Sequence, residues 1–169
     1  AIDYFQHSLA LYQSVNFLSG VLAATNNLAV IFRLRGDYQQ AWESFQEVLK
    51  HRLAQGRRKN VASVMVNLGF TATGLGKPND AHQYFAESYT IAMEIGAPTT
   101  ALVALVGLAE LKALAGDPIT AIEVVSFALA HPTTGADVSK YARPILERIS
   151  TDLEPDQVAA AFERGQQLT

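Results

Sequence analysis

Cysteine is absent from the 169 residues. That excludes disulfides, thiolate metal centres and cysteine nucleophiles, and it suits a reducing cytoplasm. Charge is scarce, at 17% against 49% hydrophobic residues. A chain this apolar can build a sizeable core and is not disordered throughout. So little charge implies that other domains or a second copy cover part of the surface. Cations have no surplus: Lys and Arg number 13 against 16 Asp and Glu, a net charge of -3. The segment therefore lacks the basic face of a nucleic-acid binder. No apolar run reaches the ~18 residues of a membrane span. The longest, 101–109, is interrupted by Gly107 and followed by Glu110. No signal peptide is visible. The chain starts at Ala1, in mid-pattern and without Met, and reads as a piece of something longer.

What is present is a period. Leu28, Ala29, Gly36, Asp37, Tyr38, Ala41 and Phe45 return 40 residues later as Leu68, Gly69, Gly76, Lys77, Pro78, Ala81 and Phe85. They return again as Leu108, Ala109, Gly116, Asp117, Pro118, Ala121 and Val125, and half of the set precedes them as Ala1 and Phe5. With 11 glycines in the chain, three locked to leucine, alanine and phenylalanine columns are hard to reach by accident. A fixed period of this size marks a solenoid, whose units bury their apolar faces against their neighbours. Within each unit the apolar spacing is helical, glycine stops one helix, and aspartate or proline starts the next. Asp37, Thr99 or Thr100, Asp117 and Asp137 are expected to cap helices. The prediction is an all-α solenoid of about nine helices with no strand. Its single domain, 1–169, divides into a half unit at 1–16, units at about 17–55, 56–96 and 97–132, and a divergent closing pair at 136–168. Small residues at 29, 69 and 109 and at 41, 81 and 121 let paired helices approach closely.

The small residue at 29, 69 and 109, Phe32, the Gly36-Asp37-Tyr38 turn and the alanine and phenylalanine columns resemble tetratricopeptide repeats. The usual unit of that family is 34 residues. This 40-residue unit resembles the versions in mitotic-spindle adaptors, peptide-pheromone receptors and large bacterial regulators of the maltose-activator type. The tail 157–165, Gln-Val-Ala-Ala-Ala-Phe-Glu-Arg-Gly, resembles the closing helix of such regulators. The tryptophan column of the family reads Thr25, Met65 and Leu105 here, and its late proline is absent. The resemblance implies a right-handed superhelix whose first helices line a concave groove. It also implies a non-catalytic, cytoplasmic binding or sensing module, the C-terminal part of a larger bacterial signalling or transcription-regulating protein. A structural oligomerisation module and a small-molecule effector sensor are the alternatives.

Catalysis finds little support. His7, His51, His82 and His131 form no metal-binding pattern, and neither cofactor nor metal is expected. Gly74-Leu75-Gly76-Lys77 lacks the spacing and the hydroxyl residue of a phosphate loop. Arg52, Arg57, Arg58 and Lys59 read as a solvated basic turn. By register the groove positions are Asn26, Asn27, Val30 and Arg33, then Val66, Asn67, Phe70 and Thr73, then Val106, Gly107, Glu110 and Leu114. Asn27 and Asn67, one period apart, can hold the backbone of an extended peptide, because an amide both donates and accepts. Arg33 can meet a carboxylate and Phe70 an apolar side chain. A second expectation is self-association through an apolar patch of Phe5 and Leu9 on the first helix.

Overall fold

A computed structural model describes residues 2–168, and Ala1, expected to begin the first helix, lies outside them. Among the described residues there are nine α-helices and no strand. They are α1 (Ile2–Ser14), α2 (Leu18–Arg35), α3 (Tyr38–Ala54), α4 (Arg58–Gly74), α5 (Pro78–Glu94), α6 (Pro98–Leu114), α7 (Pro118–Ala130), α8 (Ala136–Ser150) and α9 (Pro155–Gln166). The architecture is a tetratricopeptide-like helical solenoid. Positive φ falls at Asn16, Gly36, Gly56, Gly76, Gly96 and Gly116, every twenty residues. Each such residue reverses the chain in the left-handed region, which glycine enters without steric cost.

Proline does more of the starting than the capping residues do. Pro78, Pro98, Pro118 and Pro155 all open helices, where a fixed φ helps and a missing N–H costs nothing. Consequently Thr99 and Thr100 lie inside α6 and cap nothing. Asp37 precedes α3 without a side-chain cap bond, and Asp137 lies in the first turn of α8 after Gly135. Only Asp117 caps as expected, accepting from the Thr120 N–H at 3.2 Å.

Consecutive helices pack on one another from α1 to α7. The even helices also touch each other, α2 with α4, α4 with α6 and α6 with α8, whereas α3 and α5, or α5 and α7, have no comparable contact. The even layer therefore lies on the inside of the bend. Phe85, fully buried, is seated where α5 meets α4 and α6: a Cβ added at Gly69 or Gly107 would overlap its ring. Gly107, expected on the groove wall, is spent on this seat.

The closing pair departs from the pattern. α8 packs on α6 and α7, while α9 lies on α7 rather than pairing with α8. Gly165 permits that contact, since a Cβ there would strike the carbonyl of Glu123. The Arg164 Nε donates to Glu123 Oε1 at 2.6 Å across the same contact. Pro144 sits inside α8, so the Lys140 carbonyl lacks its helical donor.

Candidate functional site

The inner layer carries the candidate site, and α8 reshapes it. Tyr141 of α8 stacks on Phe70 of α4, rings 4.8 Å apart and 10° from parallel. The Arg33 guanidinium of α2 lies 5.6 Å from both ring centroids. Cations are attracted to aromatic faces at this range. Three side chains from three helices thus meet at one point, and α8 covers part of α4.

Asn67 is caught in that cover. It is only 7% exposed. Its Nδ2 donates to the Ser63 carbonyl at 3.3 Å, and its Oδ1 accepts from the Tyr141 hydroxyl at 3.5 Å. The expectation of two equivalent free amides is therefore corrected: Asn27 is exposed, whereas Asn67 is engaged by α8. The reason is local. No later helix lies over α2 as α8 lies over α4.

The other expected positions divide. Arg33, Phe70, Thr73, Glu110 and Leu114 line a cleft of about 480 Å³, together with Tyr38, Lys140, Tyr141, Pro144 and Arg148. Val66 and Asn67 line a second cleft of about 240 Å³ beside Tyr141. Asn26 and Asn27 line a third, of about 180 Å³, between α2, α3 and α4. Val30 lines none of these and packs against the core of α2 to α4. Val106 is fully buried. Phe70 is also buried, closing the floor of the large cleft against Phe85.

Charge in the large cleft is mostly positive. Arg148 is ion-paired with the buried Glu110. Arg33 and Lys140 face the same space without an acid partner among the described residues. The Arg33 Nε is buried and has no hydrogen-bond acceptor. The cleft thus offers unspent donors beside two aromatic faces, which suits a carboxylate or carbonyl next to an apolar group. No group of His, Asp and Glu able to hold a metal occurs among the described residues.

Periodicity missed Tyr38, Lys140, Tyr141 and Arg148. Val138, Ala142 and Ile145 do show a buried stripe on α8 by their spacing, but spacing cannot say that Tyr141 beside the stripe reaches α4.

Residues 20–94 match the tetratricopeptide repeat family model. The match spans α2 to α5 and takes in the fully buried Phe45 and Phe85. No curated protein matches the chain. Tetratricopeptide repeats generally mediate protein–protein interaction and are typically non-catalytic. No helix among the described residues is long and apolar enough to cross a membrane. Self-association was expected through Phe5 and Leu9, but both are half-buried. The exposed apolar side chains at this end are Tyr4, Leu11, Val15, Phe17 and Leu18.

Proposed function

We propose that this chain is a non-catalytic module that receives an extended segment of a partner protein along its inner layer. The observation carrying the reading is Arg33: a guanidinium flanked by Phe70 and Tyr141, with a buried Nε lacking an acceptor, at the wall of the 480 Å³ cleft. An incoming backbone carbonyl or carboxylate satisfies that donor, and an apolar side chain packs on the exposed ring edges. Thr73 and Glu110 line the same cleft, and Asn26 and Asn27 supply further amides from the 180 Å³ cleft. The 40-residue unit and the 157–165 tail support placement in a larger, cytoplasmic bacterial regulator, where docking biases domains elsewhere in that protein.

The test is site-directed crosslinking. A photoreactive amino acid at Thr73, in the cleft, should join the chain to a partner in cells. The same probe at Thr90, exposed on α5, should not. Arg33→Glu should abolish the Thr73 product. Crosslinking that is equal at both sites, or indifferent to Arg33→Glu, rejects the reading.

Oligomerisation is a second reading, favoured by the exposed Tyr4, Leu11, Val15, Phe17 and Leu18 at the α1 end.

A further inference from the structure

The first helix exposes a face that the fold uses elsewhere. Tyr4, Ser8, Leu11 and Val15 recur two periods on as Tyr84, Ser88, Ile91 and Ile95. Alternating spacings of four and three residues set each group in one stripe along its helix. On α5 that stripe packs against α4. Ser88 is fully buried and donates to the Ala62 carbonyl of α4 at 2.8 Å, while Tyr84 and Ile91 pack on the cluster of α2 to α4. On α1 the same stripe has no helix over it among the described residues. Tyr4, Leu11 and Val15 are 71%, 59% and 62% exposed. The Ser8 hydroxyl turns back to the Tyr4 carbonyl at 2.9 Å. The cause is position: α1 packs on α2, whereas α3 and α5 each lie between two even helices. The Val15 N–H still donates to the Leu11 carbonyl, at 3.3 Å, so the stripe runs unbroken past the end of α1.

Large apolar side chains held in water favour a covering element. The stripe itself says which. Its spacing is that of a coiled-coil seam, and it is complementary to its own reverse. In an antiparallel pair the small Ser8 receives Leu11 of the second copy, and Tyr4 meets Val15. In a parallel pair Ser8 faces Ser8 and leaves a gap. Charge agrees with the antiparallel choice. Asp3 is the one acid of α1, which has no lysine or arginine. Antiparallel pairing sends the two Asp3 carboxylates to opposite ends, whereas parallel pairing sets them side by side, where like charges repel. At the other end of the chain the exposed large apolar side chain is Leu168. One such residue makes no second patch for head-to-tail growth, so the association closes as a two-fold pair.

We propose that two copies of this chain pair their first helices antiparallel through Tyr4, Ser8, Leu11 and Val15. This pairing rests on the oligomerisation reading and gives it a surface, an orientation and a closed stoichiometry. It leaves the inner layer of each copy open, so it does not depend on the partner-segment reading. A seam of two heptads covers less than the ~800 Å² per partner of a standard interface, and the dimer is accordingly weak and reversible.

Because the chain has no cysteine, disulfide trapping reads the orientation directly. Chains carrying Ser8→Cys or Leu11→Cys, one of them with a size tag, are oxidised separately and as an equal mixture. The expected result is a mixed disulfide that outweighs both homodisulfides and is lost when Tyr4→Glu is added to both chains. Homodisulfides that match or exceed the mixed product overturn the antiparallel pairing. Thr90→Cys, exposed on α5, sets the level of random collision, and a mixed product no greater than that level overturns the proposal. Sizing of the unaltered chain separates this failure from that of the broader reading. A dimer without the mixed disulfide keeps oligomerisation and rejects α1 as its surface. A monomer at every concentration that also fails to trap rejects both, and assigns the stripe to a helix of another protein. If a cysteine variant does not fold, hydrogen exchange on the unaltered chain decides. Amides of α1 should gain protection as chain concentration rises while those of α7 stay unchanged; no gain overturns the proposal.

Discussion

At the scale of single residues, the fold depends on positions where a side chain has no room. Ala81 is fully buried, at the contact between paired helices. Ala81→Leu should overpack it and cost about 1–3 kcal/mol, read from urea melts followed by Trp42 fluorescence. An unmoved midpoint would take Ala81 out of the contact. Gly107 is more demanding, because any Cβ there meets the Phe85 ring. Gly107→Ala should destabilise, and Phe85→Leu in the same chain should recover part of the loss, a coupling that distant sites do not show. Asp117 is a residue-scale pH sensor. Its bond from the Thr120 N–H, helped by Lys112, holds its pKa below the usual carboxylate value. A depressed folded pKa gives stability that is present above the unfolded value and lost as pH falls through the folded one. Asp117→Asn should therefore lower Tm at neutral pH, with the gap to wild type closing in acid as the native carboxyl protonates. A gap that stays constant down to pH 2 would remove the carboxylate from the account.

At the scale of elements, α8 decides what the inner layer can offer. It is tied to α6 by Arg148 on Glu110 and to α4 by Tyr141 on Phe70. Glu110 is 7% exposed, and stripping a buried carboxylate of its cation is costly. Arg148 is itself largely exposed, which screens the pair and reduces the effect. Arg148→Ala should cost about 1–2 kcal/mol, and Glu110→Gln in the same chain should restore most of it. Equal melts for the single and double variants would show that the pair is not coupled. The helices were legible from apolar spacing, and their ends from glycine and proline. The expected caps at Thr99 and Thr100 were not, because Pro98 at the first helical position starts α6 one or two residues early, and α8 likewise begins at Ala136, which leaves Asp137 inside its first turn.

At the scale of the whole molecule, each helix pair leans on the next, so stability should pass along the chain from neighbour to neighbour. One buried cluster runs from α4 to α8 and another from α2 to α4. Ending the chain at residue 134 should therefore sharply reduce hydrogen-exchange protection in α6 and α7 and change α2 and α3 much less. Uniform loss would mean a single cooperative core. The α1 end should behave as a sticky edge. Leu11→Glu with Val15→Glu should shift any concentration-dependent dimer toward monomer by sizing, and a chain monomeric at all concentrations would reject oligomerisation.

The sequence by itself determined the helices, the 40-residue period and the seats of Ala29, Ala41, Phe45, Ala81 and Phe85. These follow from local rules: backbone reversal at glycine, a fixed φ at proline, and small residues wherever two helices meet at a set spacing. It also named Arg33, Phe70, Thr73 and Glu110, because register puts equivalent positions on one layer. Tertiary structure alone decided that Asn27 and Asn67 are unlike, that Tyr141 stacks on Phe70, and that Arg52 at the end of α3 is mostly covered. Those outcomes depend on how α8 crosses the bend and how α3 ends against α2 and α4. Contacts between distant elements have no period, and so leave no repeated mark in the chain.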